Sequence, residues 1–419
     1  MKNNILFSIC VPTRNRAITL KYCIQTLIEQ DFSNYEIIVS DNSDSLERLK
    51  VRKLIDEFNN QYLSYHETPT FYSMRENFEF ALSKAQGKYI LFLGDDDGFV
   101  LNSLGYLENY LQENGDIDVL KCPSIIYHWQ GSINFPNSNL MFPKSNPILH
   151  VDAKSILKKV LHFEMAYFNL PMIYYSFVKK DLIDKVVEQN GSFFGSCISV
   201  DIFSGLVIAK NIKQFTIIDK PFTIAGISKY SNGERLMKKK EKENTEFIKS
   251  QNYKSELIKY KIPFSVQNEL ATLILIDNYK FQELYQDFVV DKKKQIFNYL
   301  INIFIHSGIT SEKNKLVKLD EFKQNGINPE LIDQIKNMIK KDNSIMTNYS
   351  SINNLITQHY NFNPLVHNIK NIHEASLLSE IILSNSILSY NKTEKNINYF
   401  NSFLLAILKK IQSKLNFSI

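Results

Sequence analysis

Three consecutive carboxylates, Asp95, Asp96 and Asp97, close the run Lys88-Tyr-Ile-Leu-Phe-Leu-Gly94. Adjacent acids repel one another, and a cation that joins them removes that cost. Hard oxygen ligands suit Mg2+ or Mn2+, and such an ion usually brings substrate phosphates with it. The competing reading is a solvated acidic turn between strand and helix, and the tripeptide alone fits both. A further acid, Asp201, stands in an apolar surround within Gly191-Ser-Phe-Phe-Gly-Ser-Cys-Ile-Ser-Val-Asp201-Ile-Phe-Ser-Gly. It heads a helical segment whose N-terminal dipole favours its ionised form, and a plain N-cap is the simpler account of it.

The elements around the acids form a β-α-β-α series. Tyr89 to Leu93 is apolar without alternation, as in a strand covered on both faces. Ile5 to Val11 is a strand ended by Pro12-Thr-Arg-Asn-Arg16, and Asn15 is placed to cap a helix from Ala17 to Gln30 with Ile18, Cys23, Ile24, Leu27 and Ile28 on its apolar side. Tyr35 to Ser40 is a second strand. The helix after it, to Phe58, carries Leu46, Leu49, Leu54, Ile55 and Phe58. Tyr62 to His66 is strand-like, and a helix from Tyr72 to Ala85 is ended by Gly87. This order implies a parallel sheet with right-handed crossovers. The strand ends at Thr13, Asp41 and Asp95–Asp97 then converge on one rim, where ligands of open α/β sheets bind. Such a rim suits a nucleotide diphosphate. Asp41 can accept from a ring N–H of the kind uracil offers, the metal bridges the phosphates, and Arg75 offsets remaining charge. No GxGxxG or GxxxxGK[ST] is present, so a dinucleotide fold and a P-loop are unsupported.

Four motifs in order, Pro12-Thr-Arg-Asn-Arg16, Glu36-Ile-Ile-Val-Ser-Asp-Asn-Ser-Asp44, Met74-Arg-Glu-Asn77 and Gly87-Lys-Tyr-Ile-Leu-Phe-Leu-Gly-Asp-Asp-Asp97, give the first hundred residues a specific resemblance. The chain resembles the family 2 glycosyltransferases of bacterial surface-polysaccharide type. The resemblance implies a GT-A (Rossmann-like) α/β nucleotide-sugar-binding domain with a mostly parallel central sheet. It implies a nucleotide-sugar donor held by Pro12, Thr13, Arg14, Asp41, Arg75, Asp95 and Asp96, and Mn2+ or Mg2+ at Asp95 and Asp97, with Asp96 as an alternative direct ligand. It also implies that Asp201 is the catalytic base of an inverting transfer, with Glu164 and Asp181 as weaker candidates. Gly94 departs from the family pattern, since it replaces the first acid of the usual motif. Met74-Arg-Glu-Asn77 carries an extra residue between Arg and Asn.

The remaining chain should complete this domain to residue 236. Leu101 to Gln112 and Asp152 to Phe163 read as helices, and Ile117 to Cys122, Ile125 to Trp129 and Met172 to Val178 as strands. Gly131 to Pro147 reads as a long loop near the acceptor. Trp129, the only tryptophan, fits core better than sugar stacking. Phe222 to Gly233 is a last strand and loop, from which Lys229 and Arg235 could approach the diphosphate. Lys238-Lys-Lys-Glu-Lys-Glu243 marks a change of composition into a mainly α-helical C-terminal domain, 237–419, for acceptor binding, oligomerisation or membrane association. Its helix candidates are Leu270 to Phe288, Ile296 to His306, Leu331 to Ile339, Ala375 to Leu388 and Ile397 to Leu415. The last includes Phe403 to Leu415, whose face of Leu404, Leu408, Ile411 and Leu415 suits ordinary packing or a second copy, with an anionic membrane surface as the alternative.

A length of 419 residues suits two domains, and a net charge of +5 argues against a dedicated nucleic-acid binder. Four scattered cysteines lack zinc spacing and suit a reducing compartment. His66, His128, His150 and His162 read as structural or exposed. With no signal peptide or membrane-spanning run, the expected location is cytoplasmic, with peripheral contact at the inner face of the cell membrane left open. A glycan or lipid-linked acceptor follows from the resemblance. The readings from other classes are a sugar-nucleotide-binding protein without turnover and a scaffold whose helical part binds a partner.

Overall fold

The computed structural model describes residues 5–115, 117–132, 138–143, 147–231, 253–263, 270–306, 311–341, 359–361 and 369–384. The opening alternates as expected: β1 (Phe7–Thr13), α1 (Ala17–Ile28), β2 (Tyr35–Asp41), α2 (Ser45–Phe58), β3 (Leu63–Glu67), α3 (Met74–Leu82) and β4 (Tyr89–Phe92). All residues of β1 and β4 are buried, which is why they read as unbroken apolar runs. Then follow β5 (Gly98–Phe99), α4 (Ser103–Asn114), β6 (Val119–Lys121), β7 (Ser124–His128), β8 (Asn139–Pro143), β9 (Leu149–Asp152), α5 (Ala153–Leu161), a 3-10 turn at Tyr167–Asn169, β10 (Ser176–Lys179), α6 (Lys180–Asn190), α7 (Val200–Asn211), β11 (Gln214–Ile217) and β12 (Thr223–Ile227).

The central sheet has the order β3-β2-β1-β4-β10-β6-β11-β9. β3, β2, β1 and β4 are parallel, β10 runs against its neighbours, β6 and β11 are again parallel to each other, and β9 is antiparallel to β11. The sheet is therefore mostly parallel, and the fold is the α/β, GT-A type expected. Register places Thr13 beside Asp41 and Asp41 beside Glu67, so the first three strands end on one rim. A second sheet joins β5, β12, β7 and β8 with β13 (His359–Asn361).

The helical region consists of α8 (Tyr253–Lys259), α9 (Leu270–Leu284), α10 (Lys292–His306), α11 (Glu312–Gln324), α12 (Pro329–Lys341) and α13 (Ile372–Ser384). Its core, with Leu257, Leu273, Leu300, Phe322 and Ile335, also takes in Phe163 and Ile198 from the preceding part of the chain. α13 packs beneath the second sheet with Ile125, Tyr127, Leu140 and Ile224. Ser376 Oγ donates to Phe99 O at 2.6 Å, and Ile372 fills the space a Cβ would need at Gly98. None of the described helices is long and apolar enough to cross a membrane. The segment 238–243, Arg235 and the last helix candidate, including Phe403 to Leu415, lie outside the described residues.

Several local expectations are corrected. Asn15 does not cap α1. It takes a positive φ of 56°, its side-chain oxygen accepts the Asp44 amide and its own amide donates to Ser43 Oγ, tying the ends of β1 and β2 together. Ile18, Leu46 and Leu49 are exposed, and Val51 with Leu54 provides the buried face of α2. Gly87 does not end α3, whose last helical residue is Leu82. A Cβ there would come within 2.6 Å of the Ser8 amide nitrogen, so glycine lets the chain cross β1 closely. Residues 139–143, assigned to a loop, are strand β8.

Candidate active site

The acidic turn is buried and heavily hydrogen-bonded. Asp95 accepts from Thr13 Oγ1 at 2.7 Å and from the Arg16 guanidinium at 3.0 Å. Asp96 Oδ2 accepts from Ser228 Oγ at 2.6 Å and Ser231 Oγ at 2.5 Å, while its main-chain oxygen accepts from Trp129 Nε1 at 2.9 Å. Asp97 Oδ1 accepts from the Gly226 amide at 2.8 Å, and Oδ2 from the Gly94 amide at 2.7 Å and Tyr175 Oη at 3.0 Å. Burial pushes the Asp95 and Asp97 carboxyls above the usual range, Asp97 to about 7 with the charge of Asp96 adding to the effect. The Arg16 charge opposes that rise at Asp95.

The departure at Gly94 has a steric account. A Cβ at Gly94 would lie 2.9 Å from Asp97 Oδ2, the oxygen that the Gly94 amide already holds. Asp97 thus occupies the space a side chain at 94 would use. Gly226 is tighter still, since a Cβ there would fall 1.7 Å from Asp96 O.

Asp41 ends β2 fully buried, with Ser43 N and Tyr65 Oη each donating to it at 2.8 Å. A ring N–H would have to share or displace one of these donors. Asn77 braces the same strand end, receiving Ser40 Oγ at 2.5 Å and donating to Ser40 O at 3.3 Å. The capping box of Ser73 and Glu76 starts α3 and fixes Asn77 one turn in. Pro12 is buried in β1 beside Ser40. Arg14 stacks its guanidinium 4.3 Å above the ring of Phe71, which is exposed.

Arg75 lies in the first turn of α3, 3.8 Å from Glu76, and its charge is felt by Glu79 and the Cys197 thiol. That puts it beside the loop leading to Asp201 rather than on the acidic turn. Asp201 is in the first turn of α7, but the N-cap is Ser199, so Asp201 is not the cap. The surrounding protein raises its pKa, and the backbone amides of Ile202 and Asp201 oppose the rise without cancelling it. Dipole stabilisation, the basis for expecting a firmly ionised group, is therefore the smaller effect. Glu164 pairs with Lys294 at 2.5 Å, and Asp181 is exposed beside Lys179.

One phenol, Tyr174, lies within electrostatic reach of Asp95, Asp96, Asp97 and Asp201. The acidic turn and Asp201 are therefore both near this ring. Sequence reasoning missed Arg16, Tyr174, Tyr175, Ser228 and Ser231. Arg16, Ser228 and Ser231 sit inside stretches already singled out, and only their partners were unknown. It also missed Lys121, whose Nζ donates to Phe168 O and Leu170 O and so secures the turn carrying Tyr167. Lys229 is exposed over the Tyr230 ring. His128 and His162 are buried, whereas His150 is exposed.

The donor set suits a divalent ion held partly by substrate. Among the described residues no three His, Cys, Asp or Glu side chains converge as a ligand cage. Mg2+-type ions are commonly held by one or two carboxylates and substrate phosphates instead. Both oxygens of Asp95 and both of Asp97, the pair expected to hold the ion, accept from protein donors. Asp96 Oδ1 receives no hydrogen bond among the described residues, and this moves the candidate ligand to Asp96.

A mostly parallel sheet whose strand ends carry an acidic turn, flanked by a small mixed sheet, defines a GT-A nucleotide-sugar domain. Residues 8–170 match the family model described as Glycosyl transferase family 2, and this part of the chain is a family 2 glycosyltransferase domain. Abequosyltransferase RfbV of Salmonella typhimurium is 32% identical over 27% of this chain and 34% of its own length. The putative colanic acid biosynthesis glycosyl transferase WcaA of Escherichia coli is 34% identical over 27% of this chain and 40% of its own. The GalNAc(5)-diNAcBac-PP-undecaprenol beta-1,3-glucosyltransferase of Campylobacter jejuni is 30% identical over 24% and 32%. The matches thus span well under half of each relative. Among solved structures, S. aureus TarS 1-349 in complex with UDP-GlcNAc aligns over 91% of this chain and 92% of its own, at 16% identity and a TM-score of 0.44.

Proposed function

We propose that the chain is a metal-dependent glycosyltransferase. It moves a sugar from a nucleotide-sugar donor, a UDP-sugar, to a hydroxyl of a glycan or lipid-linked acceptor, with inversion, in bacterial surface polysaccharide biosynthesis of capsule or O-antigen type. The observation that carries this reading is the pairing, around Tyr174, of an acidic turn that has one carboxylate oxygen without a hydrogen bond among the described residues and the Asp201 carboxyl of raised pKa. The relatives' names, which include an abequosyltransferase and a colanic acid enzyme, support the polysaccharide setting.

Asp96, through Oδ1, would hold Mn2+ or Mg2+, which when bound neutralises charge on the departing diphosphate. Asp97 keeps the turn folded. Thr13 and Arg16 hold Asp95 in place, and Arg14 with Phe71 offers a flat cationic surface on the rim beside Asp41. Asp201 takes the proton of the acceptor hydroxyl. That oxygen forms the new bond to the anomeric carbon as the bond from this carbon to the phosphate oxygen breaks, its electron pair leaving with the nucleoside diphosphate. A carboxyl raised toward the operating pH suits a group that must both take up and release a proton.

Thermal unfolding of the full chain with UDP, with and without Mn2+, tests the reading. A ligand at about a hundred times its dissociation constant stabilises the fold by about 2.7 kcal/mol. The expected result is a UDP shift that requires Mn2+ and is lost in Asp96→Asn. No shift with any of a panel of nucleotides at millimolar concentration would overturn it.

A further inference from the structure

Asp277 belongs to α9, beyond the family-matched segment, and is fully buried. Its two oxygens accept the backbone amides of Ile198 at 2.7 Å and Ser199 at 2.8 Å. These are the last residues before α7, and Asp201 stands two positions on. Ser199 is the N-cap of α7 yet makes no side-chain capping bond, so the approach to the helix is fixed by a carboxylate from another helix. α9 also grips the far end of α7. Asn211 Nδ2 donates to Tyr285 Oη at 3.3 Å, and Lys210 pairs with Asp287 at 2.8 Å, both partners following directly on α9.

We infer that Asp277 is a positioning residue for Asp201, so that the helical region completes the catalytic centre rather than standing apart from it. The inference rests on Asp201 being the base. A carboxylate accepting two consecutive amides leaves Ile198 and Ser199 little freedom, and the Asp201 side chain inherits that restraint. Replacing one charged acceptor oxygen by an amide NH2 opposes one backbone N–H with another donor, which rotates or loosens the turn. Displacement of a catalytic group by about 1 Å can cost about a hundredfold in rate. The charged and titratable groups around Asp277 are Asp201, the Cys197 thiol and Lys280, which is itself paired with Glu256 at 2.7 Å.

The test compares Asp277→Asn with Asp201→Asn in the full chain. Each is assayed with Mn2+ for UDP affinity and for hydrolysis of whichever UDP-sugar of a panel the wild type cleaves fastest. Asp277→Asn should keep the UDP dissociation constant within about twofold and lower kcat by about 10- to 100-fold. A melting point that falls while kcat stays unchanged well below melting would overturn the inference and leave a structural role only. If Asp201→Asn is itself fully active, the base reading fails, and the inference with it. If Asp201→Asn is inactive but Asp277→Asn is not, the Asp277 inference alone fails. Should Asp277→Asn not fold, hydrogen exchange on the wild type decides: the Ile198 and Ser199 amides should exchange more slowly than the other amides of 191–199, and exchange at the rate of their neighbours would overturn it.

Discussion

The acidic turn and the start of α7 are held in opposite ways. The acidic turn is held redundantly. Asp95, Asp96 and Asp97 receive donors from Thr13, Arg16, Gly94, Tyr175, Gly226, Ser228 and Ser231, with Trp129 on the main chain. All come from within residues 13–231. Among the described residues the Asp201 side has its own first-turn amides, Ser204 Oγ on its main-chain oxygen and one distant brace, Asp277. The contrast follows from what each side must do. Three like charges can stay adjacent in a buried turn only if nearly every lone pair is satisfied. A proton acceptor must instead be left under-solvated, so that its pKa rises.

That difference can be broken at its most exposed point first. Asp201→Asn should lower transfer by about 10^2- to 10^4-fold, the usual contribution of a general base. UDP affinity should stay unchanged, because the donor groups lie at the other side. Parallel measurement of turnover and UDP binding checks this, and a variant with wild-type turnover would contradict it. On the acidic side the largest expected effect is steric rather than chemical. Gly226→Ala puts a carbon 1.7 Å from Asp96 O, a main-chain atom that cannot swing aside. Strands β12 and β5 would have to separate from the turn, at a cost of about 3 kcal/mol or more. Denaturant unfolding should show the loss, together with a weaker response to Mn2+.

Legibility in the sequence follows the same division. The β-α-β-α opening, the rim at Thr13 and Asp41 and the acidic turn are local patterns of period and spacing, and they stand as read. What the pattern could not carry is who donates to whom. Ser228 and Ser231 lie more than 130 positions from Asp96, and nothing in the Ile227-Ser-Lys-Tyr-Ser231 stretch marks its hydroxyls as partners for an acid. Asp97 reads as a ligand because it is an acid in a row of acids, and its bonds to two glycine amides and Tyr175 leave no mark in the pattern. Asp277 was the least legible, because a lone acid in an apolar helix reads as a face to be solvated. The exposed Ile18, Leu46 and Leu49 show the converse. Helical spacing proposes a face, but packing chooses which residues of it are covered.

The next effect is one of pH. Burial holds Asp277 at about 7, above its ordinary value, with Asp201 adding to the rise and the two amides opposing it. Between about pH 4 and 7 the folded protein therefore binds more protons at this site than the unfolded chain does. Stability from this group is present at low pH and is lost as the pH rises toward 7, by at most about 1.4 kcal/mol per pH unit. Asp277→Asn has no proton to exchange, so its unfolding free energy should fall less steeply than that of the wild type from pH 5 to 7. Equal slopes in urea titrations would mean that Asp277 is ionised throughout.

The smallest effect is the one that separates redundancy from single bracing. Ser228 and Ser231 donate to the same oxygen, Asp96 Oδ2, and Ser228 also receives the Tyr230 amide at 3.2 Å. Ser231→Ala removes one donor but leaves that oxygen satisfied by the other. Ser231 Oγ also accepts the Ser228 amide at 2.9 Å, so the expected loss is two hydrogen bonds, about 1–2 kcal/mol, with turnover nearly unchanged. Deleting both hydroxyls removes the last donor to a buried carboxylate oxygen and should cost more than the two single changes added together. Additive losses would mean that the serines act independently, and the acidic side would then be no better buffered than the turn that Asp277 holds alone.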